Sequence, residues 1–543
     1  MRNLPSTQGA RAGRRWGMLI NSLIVMLGYV LSRALGLVRD AVIAHRFGTS
    51  DAADAYTVAF NIPDLLYLVI IGGALGSAFI PIFSELWARE GEEHAWRLAS
   101  EVMNLALIVL VAAAALVAIF ARPLTGLLYG AYPADKQELI VDLLRLFLFS
   151  PLLLGLGGLA MAALNALDRY TLPALAPAFY NLSIIAGALF LAPTFGIYGV
   201  AYGVIGGALL YVLIQVPGLI KAGMRYSASL GLRSNAVRRV GRLMAPRIFG
   251  QSAAQIAITV TFSIAALLGE GRARALGQAY QLMLLPHGIF ALSLGTVAFP
   301  AMARAFAAGD IAEVGRSMRS VLRVVLWTVV PAAVAMMVLA VPIVRLLFQR
   351  GEFGEESTRL VAGALLFYAT ALPAFAASEM LIRTFYALQD TRTPVAVGVA
   401  TVALNIGLAV ALVYGLDYGY RALAVAFSIA NNLEALVLAV LLHRRLGGLD
   451  PNGGLRRSLR QTLVGATGMG VALLALLLLS RQALPWLSAA GEGYQPGRDV
   501  LLLAGWLALA GIVGLGVYLA LEAMQGAEEL QTVGGRLLRR VRS

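Results

Sequence analysis

Apolar stretches of about 20 residues follow one another along the whole chain, separated by short connections rich in charge, Pro or Gly. Each is long enough to cross roughly 30 Å of hydrocarbon as a helix. The short alternating apolar/polar segments of a membrane β-barrel are missing. Breaks at charged and Pro/Gly-rich points give fourteen expected spans, at residues 17–44, 55–86, 99–121, 138–167, 171–193, 196–220, 240–268, 275–303, 318–347, 358–388, 394–415, 418–442, 460–480 and 499–522. The expected fold class is an all-α polytopic membrane protein. Composition agrees: 59% of the 543 residues are hydrophobic and 13% charged, with a mean hydropathy of +0.78, whereas a soluble chain carries about 25% charged residues. No soluble core buries that much apolar surface.

Charge sets the expected orientation. With the N-terminus inside, the inner connections and tails hold more than twice as many Lys and Arg as the outer ones, the asymmetry that the positive-inside rule demands. Both termini are therefore expected to be cytoplasmic. The net charge of +14 and the run Arg536, Arg539, Arg540 and Arg542 are explained by an anionic leaflet and need no nucleic acid. The first apolar segment is too long for a cleavable signal and runs into Arg39 and Asp40 without a small-residue cleavage site, so it reads as the first membrane helix. Cysteine is absent, which excludes disulfides and thiolate metal sites. The four histidines, His45, His94, His287 and His443, are scattered and define no metal cluster. His287 beside Pro286 reads as a packed or lumen-facing histidine before a proton relay. Phosphate-cradling loops, zinc-protease motifs and nucleophile elbows are missing, so an enzyme is not expected.

The chain repeats itself. Ala163-Leu164-Asn165-Ala166-Leu167-Asp168, then Pro173 and Asn181, are echoed by Tyr386-Ala387-Leu388-Gln389-Asp390, then Pro394 and Asn405. The repeat predicts two pseudo-symmetric six-helix lobes of the same orientation with a central cavity between them. The expected organisation is a tail at 1–16, an N-lobe at 17–235, a C-lobe at 236–445, two extra helices at 446–523 and a basic tail at 524–543. Prolines in or near spans (Pro63, Pro81, Pro151, Pro246, Pro286, Pro300, Pro331, Pro373) permit bends, and the clusters Gly72, Gly73, Gly76 and Gly155, Gly157, Gly158 permit close helix approach. Both features also serve ordinary packing in membrane helices.

Candidate chemistry concentrates in the first span, which carries Arg33, Arg39 and Asp40. A charged side chain at a helix centre costs about 2.5–3.5 kcal/mol on insertion scales, so three of them call for a polar interior or an aqueous cavity. Arg39 and Asp40 either bind cargo there or form a pair that ties the helix to its neighbours.

The segment Ser32-Arg33-Ala34-Leu35-Gly36-Leu37-Val38-Arg39-Asp40, followed by Phe47-Gly48 and Asp54-Ala55-Tyr56, resembles the first-helix signature of the MurJ (MviN) lipid II flippases. Three further stretches agree, "LNALDRYTLPALAPAFYN" at 164–181, "LPHGIFALSLGTVAFP" at 285–300, and "LFQRGEFGEES" followed by "FYALQDTRTP" between 347 and 394. The resemblance covers nearly the whole chain and implies the multidrug/oligosaccharidyl-lipid/polysaccharide exporter fold. It implies two six-helix lobes forming a V, with the last two helices making a groove for a lipid tail. It also implies transport of lipid-linked peptidoglycan precursor from the inner to the outer leaflet of a bacterial cytoplasmic membrane. Arg33 and Arg39 match positions with a cargo-binding role, which suits a pyrophosphate bound by charge-assisted hydrogen bonds. Asp40 then orients or releases Arg39.

Two departures bear on the cargo. Asn61, in "AFNIPD", stands where the family usually has a basic residue, and Tyr67, Leu68 and Gly72 replace the basic pair and acid that follow. Gln281, in "QAYQLMLLP", stands where an arginine is usual. With Gln255 of the seventh span, these complete the candidate cavity set of Arg33, Arg39, Asp40, Asn61, Gln255 and Gln281. Either Arg247 or Arg383 compensates for the missing charge, or the cargo is another lipid-linked glycan. No cofactor is expected. The coupling source, sodium, proton or membrane potential, is open, and the acid that some members use for sodium is missing near Thr261. Expected partners are the lipid-linked pyrophosphate, membrane lipids and the cell-wall synthesis machinery, around a monomer. A small-amphiphile antiporter of the same superfamily, expected to have twelve helices, and a non-transporting scaffold are the competing classes.

Overall fold

A computed structural model describes residues 27–28, 30–70, 79–451, 453–487 and 493–530, with side chains for all but 69–70 and 245–254. The tail at 1–16 and the start of the first span, the Gly72, Gly73, Gly76 cluster, the side chains of Pro246 and Arg247, and the final basic run lie outside the described residues. Among the described residues the protein is helical, without strands, as hydrocarbon requires of backbone polar groups that have no water to meet. In chain order the helices are α1 (30–47), α2 (Asp51–Ala59), α3 (Asn61–Ile70), α4 (Ile80–Arg89), α5 (Glu92–Ile119), α6 (Ala121–Tyr129), α7 (Ala134–Ala166), α8 (Thr171–Phe195), α9 (Ile197–Lys221), α10 (Asn235–Leu267), α11 (Arg272–Ala307), α12 (Ile311–Val338), α13 (Ala340–Phe348), α14 (Glu355–Ala387), α15 (Arg392–Gly415), α16 (Arg421–Arg445), α17 (Gly454–Ser480) and α18 (Pro496–Met524).

Eleven of these, α5, α7 to α9, α11, α12 and α14 to α18, are long and apolar enough to cross a membrane. They coincide with eleven of the expected spans. The other three, at 17–44, 55–86 and 240–268, run through residues or side chains outside the description, and helix is present there in α1, α3, α4 and α10. The expected ninth span is two helices, because the chain turns at Leu339 (φ −102°, ψ 19°) between α12 and α13. The same turn separates α5 from α6 at Phe120 (φ −91°, ψ 12°).

Backbone contacts divide the chain into two compact units, Met1–Thr259 and Val260–Ser543, with the division inside α10. The internal repeat is visible in each unit, in register with the Pro173 and Pro394 echo and one residue out of register with that of Asp168 and Asp390. At the end of α7, Asp168 adopts φ +58° and Arg169 N–H reaches back to Leu164 O at 2.9 Å. At the end of α14 it is Gln389 that adopts φ +61°, with Asp390 N–H on Phe385 O at 2.9 Å. Both ends close as left-handed caps that satisfy late carbonyls of the helix, so Asp168 is equivalent to Gln389 and not to Asp390. Corresponding helices also widen into one π turn each, α8 at Gly187–Leu191 and α15 at Ala411–Gly415. A third π turn, His287–Leu292 in α11, follows directly on Pro286, whose ring leaves a gap in the ordinary ladder.

In the first unit, aromatic residues of α4 and α5 form a core in which Phe83 packs against Trp87 and Trp96. Lys136, 2% exposed, fastens the start of α7 to α2 by ion pairs with Asp51 and with the fully buried Asp54, the latter at 3.0 Å. The ammonium also lies 3.7 Å from the centre of the Tyr132 ring. Helices α8 and α9 meet through glycine. A Cβ at Gly203 would lie 2.9 Å from Ser183 O and 3.1 Å from Gly187 Cα, and one at Gly187 would lie 2.7 Å from Gly199 O. These neighbours are backbone and cannot swing aside. Gly203→Val is expected to push α8 and α9 apart and to destabilise the protein by about 1–3 kcal/mol. Thermal unfolding in lipid nanodiscs reads this as a lower midpoint, and an unchanged midpoint contradicts the close approach.

Candidate functional site

The charged residues of α1 meet polar partners on α8. Arg39 donates from Nε and Nη2 to Asp40 Oδ1 at 3.1 and 3.0 Å, and from Nη1 to Asn181 Oδ1 at 3.1 Å. Asn181 is held in turn, giving its amide N–H to Pro177 O at 3.0 Å and to Ser32 O of α1 at 3.3 Å. The bond to Pro177 O is the back-bond of a side-chain amide to the carbonyl four residues before it. Arg39 and Asp40 side chains are 21% and 12% exposed, so the pair is enclosed but not sealed. Among the described residues three of the five guanidinium N–H groups are engaged, which leaves two for another acceptor.

Around this centre, Tyr56 and Tyr180 lie within electrostatic range of Arg39, and Tyr180 is hydrogen-bonded to Ser150. Asp64 of α3 is also within range of Arg39 and is exposed. Arg33 is exposed and makes no ion pair or hydrogen bond among the described residues. Asn61 is buried, its amide donated to Tyr129 Oη at 3.2 Å. The amide of buried Gln255 rests on the Asn61 carbonyl at 3.5 Å. Asn61 and Gln255 are thus joined to each other and to α6.

In the second unit, Gln281 of α11 is exposed and without a hydrogen bond among the described residues. Arg383 of α14 pairs with Glu379 at 2.7 Å, both about a quarter exposed or less in their side chains, at 20% and 28%. A Cβ at Gly295 would lie 3.0 Å from Arg383 Cδ and Nε, so glycine makes room for this side chain. Each unit therefore carries a partly exposed arginine braced by a neighbouring carboxylate on its own helix.

Sequence reasoning missed two residues of the Arg39 group. Asn181 was visible only as a repeated residue, echoed by Asn405. Asp64 was visible as an acid beside Pro63 in a membrane span, a signal as strong as that of Asp40.

A family model described as "Lipid II flippase MurJ" matches residues 43–488. The lipid II flippase MurJ of Burkholderia cenocepacia is 33% identical over 461 residues, covering 82% of this chain and 88% of that protein. A probable lipid II flippase MurJ of Vibrio cholerae is 32% identical, covering 78% and 83%. Among solved structures, a lipid II flippase MurJ in an inward closed conformation superposes with a TM-score of 0.74 at 23% identity, covering 92% of this chain and 98% of that one. An inward-facing multidrug resistance MATE family transporter of the MOP superfamily gives 0.65 at 16% identity, covering 79% and 99%. The two structures show the fold, and the family match with the sequence relatives shows the lineage: the chain belongs to the MurJ family of lipid II flippases.

Proposed function

We propose that this protein is a multi-pass transporter that carries lipid II, a lipid-linked peptidoglycan precursor, from the cytoplasmic to the outer leaflet of a bacterial cytoplasmic membrane by alternating access. The observation that carries this reading is Arg39, held by Asp40 and Asn181 with two N–H donors to spare. A pyrophosphate oxygen accepts such donors in charge-assisted bonds, and at low dielectric these are stronger than in water. Arg33 adds a second positive charge from the same helix. Asp64 competes with the phosphate for Arg39 and favours release. Gln281 contributes a neutral amide to the cargo, while Asn61 and Gln255 position α3 without touching it.

The assignment of 17–235 and 236–445 as moving lobes, and of 446–523 as the helices that receive the lipid tail, belongs to the same reading. So do cytoplasmic termini, which the distribution of Lys and Arg supports. The protein acts as a monomer alongside the cell-wall synthesis machinery. It acts as a carrier, with no catalytic step or cofactor, and a sodium gradient, a proton gradient or the membrane potential supplies its energy.

Three outcomes follow. Arg39→Ala abolishes export of the precursor while folded protein persists in the membrane, and Arg39→Lys restores it only in part, because an ammonium lacks the planar fork. Undiminished export by Arg39→Ala removes the central contact of this reading. Tags at Ser234 and Ser543 label from the cytoplasm and one at Glu355 from outside; a common side for Ser234 and Glu355 refutes the orientation. Gln281→Arg tightens binding of lipid II by purified protein, since charged hydrogen bonds contribute roughly 1.5–3 kcal/mol against about 1 for neutral ones. Asn61→Arg instead buries an unpaired charge and lowers the unfolding midpoint. Equal tightening by both variants places Asn61 at the cargo after all.

A further inference from the structure

The two helices outside the repeat, α17 and α18, are fastened to α12 by an apolar seam that includes Trp327, Met469, Leu473 and Tyr518. Within this seam sits a carboxyl group that the transport reading leaves unused. Glu522 of α18 is fully buried, at 0% exposure. Its Oε2 accepts one hydrogen bond, from Trp327 Nε1–H at 3.2 Å. Its Oε1 is enclosed and has no partner among the described residues. Gly465 of α17 shapes the space: a Cβ there would lie 2.9 Å from Oε1 and 3.0 Å from the Tyr518 ring. The carboxyl therefore lies directly on the α17 backbone, with no side chain between. An ionised carboxylate offers about four acceptor sites, and here it meets one neutral donor. Taking such an ion out of water costs several kcal/mol, a cost that a proton on Oε1 removes.

The charged and titratable groups facing the seam are committed elsewhere. From α12, Arg323 donates from Nε to Glu529 at 2.6 Å and from Nη2 to Glu528 at 2.9 Å. From α17, Ser458 donates to Glu529 at 2.7 Å, Gln461 donates to Gln525 O at 2.7 Å, and Thr462 is hydrogen-bonded to Tyr518. From α18, Tyr518 donates its hydroxyl to Trp327 O at 2.8 Å. Burial raises the Glu529 pKa, but the bonds from Arg323 and Ser458 outweigh this and hold the group below the usual carboxylate range. Glu529 is thus a fixed negative charge that opposes a second one on Glu522. Ser458 and Gly465 are two helical turns apart on α17, so the two acids occupy separate places along it.

We propose that Glu522 is a proton-binding site: its carboxyl is protonated while α17 and α18 are docked on α12, and loss of the proton loosens the docking. In that step the Oε1–H bond breaks and the proton passes to water. The carboxylate left behind needs hydration, which the closed seam does not supply. An acid that is neutral when folded and ionised when unfolded releases its proton on unfolding once the pH exceeds about 4.3, so stability falls as pH rises.

The test uses the full chain in lipid nanodiscs, by infrared spectroscopy and by thermal unfolding across a range of pH. Wild-type protein is expected to show a protonated-carboxyl carbonyl band at neutral pH that is lost in Glu522→Gln and fades on alkaline titration. The fall of the unfolding midpoint with rising pH is expected to shrink at least twofold in Glu522→Gln. Trp327→Phe, which removes the donor to Oε2 and keeps an aromatic ring in the seam, is expected to shift the same band to higher frequency, and it keeps the test decisive if the Gln variant does not fold. A band unchanged in both variants, or parallel midpoint curves for wild type and Glu522→Gln, overturns the proposal.

Discussion

A charge inside hydrocarbon must be answered by the protein, and the arrangement of this molecule follows from that constraint. At the first helix, Arg39 is answered by its sequence neighbour Asp40 and by Asn181 from α8. That demand fixes which face of α1 meets α8, and Asn181 is held in turn by the Pro177 carbonyl one turn before it. In the second unit the same need is met within one helix, by Glu379 one turn before Arg383. Neither arginine is neutralised to the point of having no capacity left, which separates these groups from Lys136, whose ammonium is closed off by Asp51, Asp54 and Tyr132. Partial satisfaction suits a binding group and complete satisfaction suits a structural one.

Span positions were legible in the sequence because burial in lipid leaves a simple mark: about 20 apolar residues between polar ends. The repeat was legible too, but only to within one residue. The sequence aligned acid with acid, Asp168 with Asp390, whereas the backbone aligns the two left-handed caps, Asp168 with Gln389. Side-chain identity and cap geometry are separate signals: Asp suits the left-handed conformation better than Gln, yet the cap of α14 falls on Gln389 and not on Asp390. The break at Leu339 was missed because the apolar run continues through the turn, and its local mark is Pro342 in the first turn of α13.

At the site, the sequence pointed to Arg39 and Asp40 because charges are conspicuous among apolar neighbours. Their third partner was not conspicuous. Asn181 is an uncharged residue more than a hundred positions away, brought in by the packing of α8 on α1. Asn61 shows another limit of local sequence. A family pattern marks its position, but its burial and its bond to Tyr129 follow from the contact of α3 with α6, which no local pattern encodes.

The difference between sealed and open ion pairs has a consequence for the surroundings the protein tolerates. The Arg122–Glu138 pair spans the same neighbourhood of the chain as Lys136, yet both its side chains are 69% exposed. Dissolved ions screen such a pair over about 10 Å at 0.1 M salt and over less as salt rises. The Lys136 pair with Asp54, at 2% and 0% exposure, has no solution between its charges to carry that screening. The start of α7 is therefore held on α2 at Asp54 with nearly the same strength in dilute and in concentrated brine, so this corner of the first unit keeps its shape when the ionic strength outside it changes.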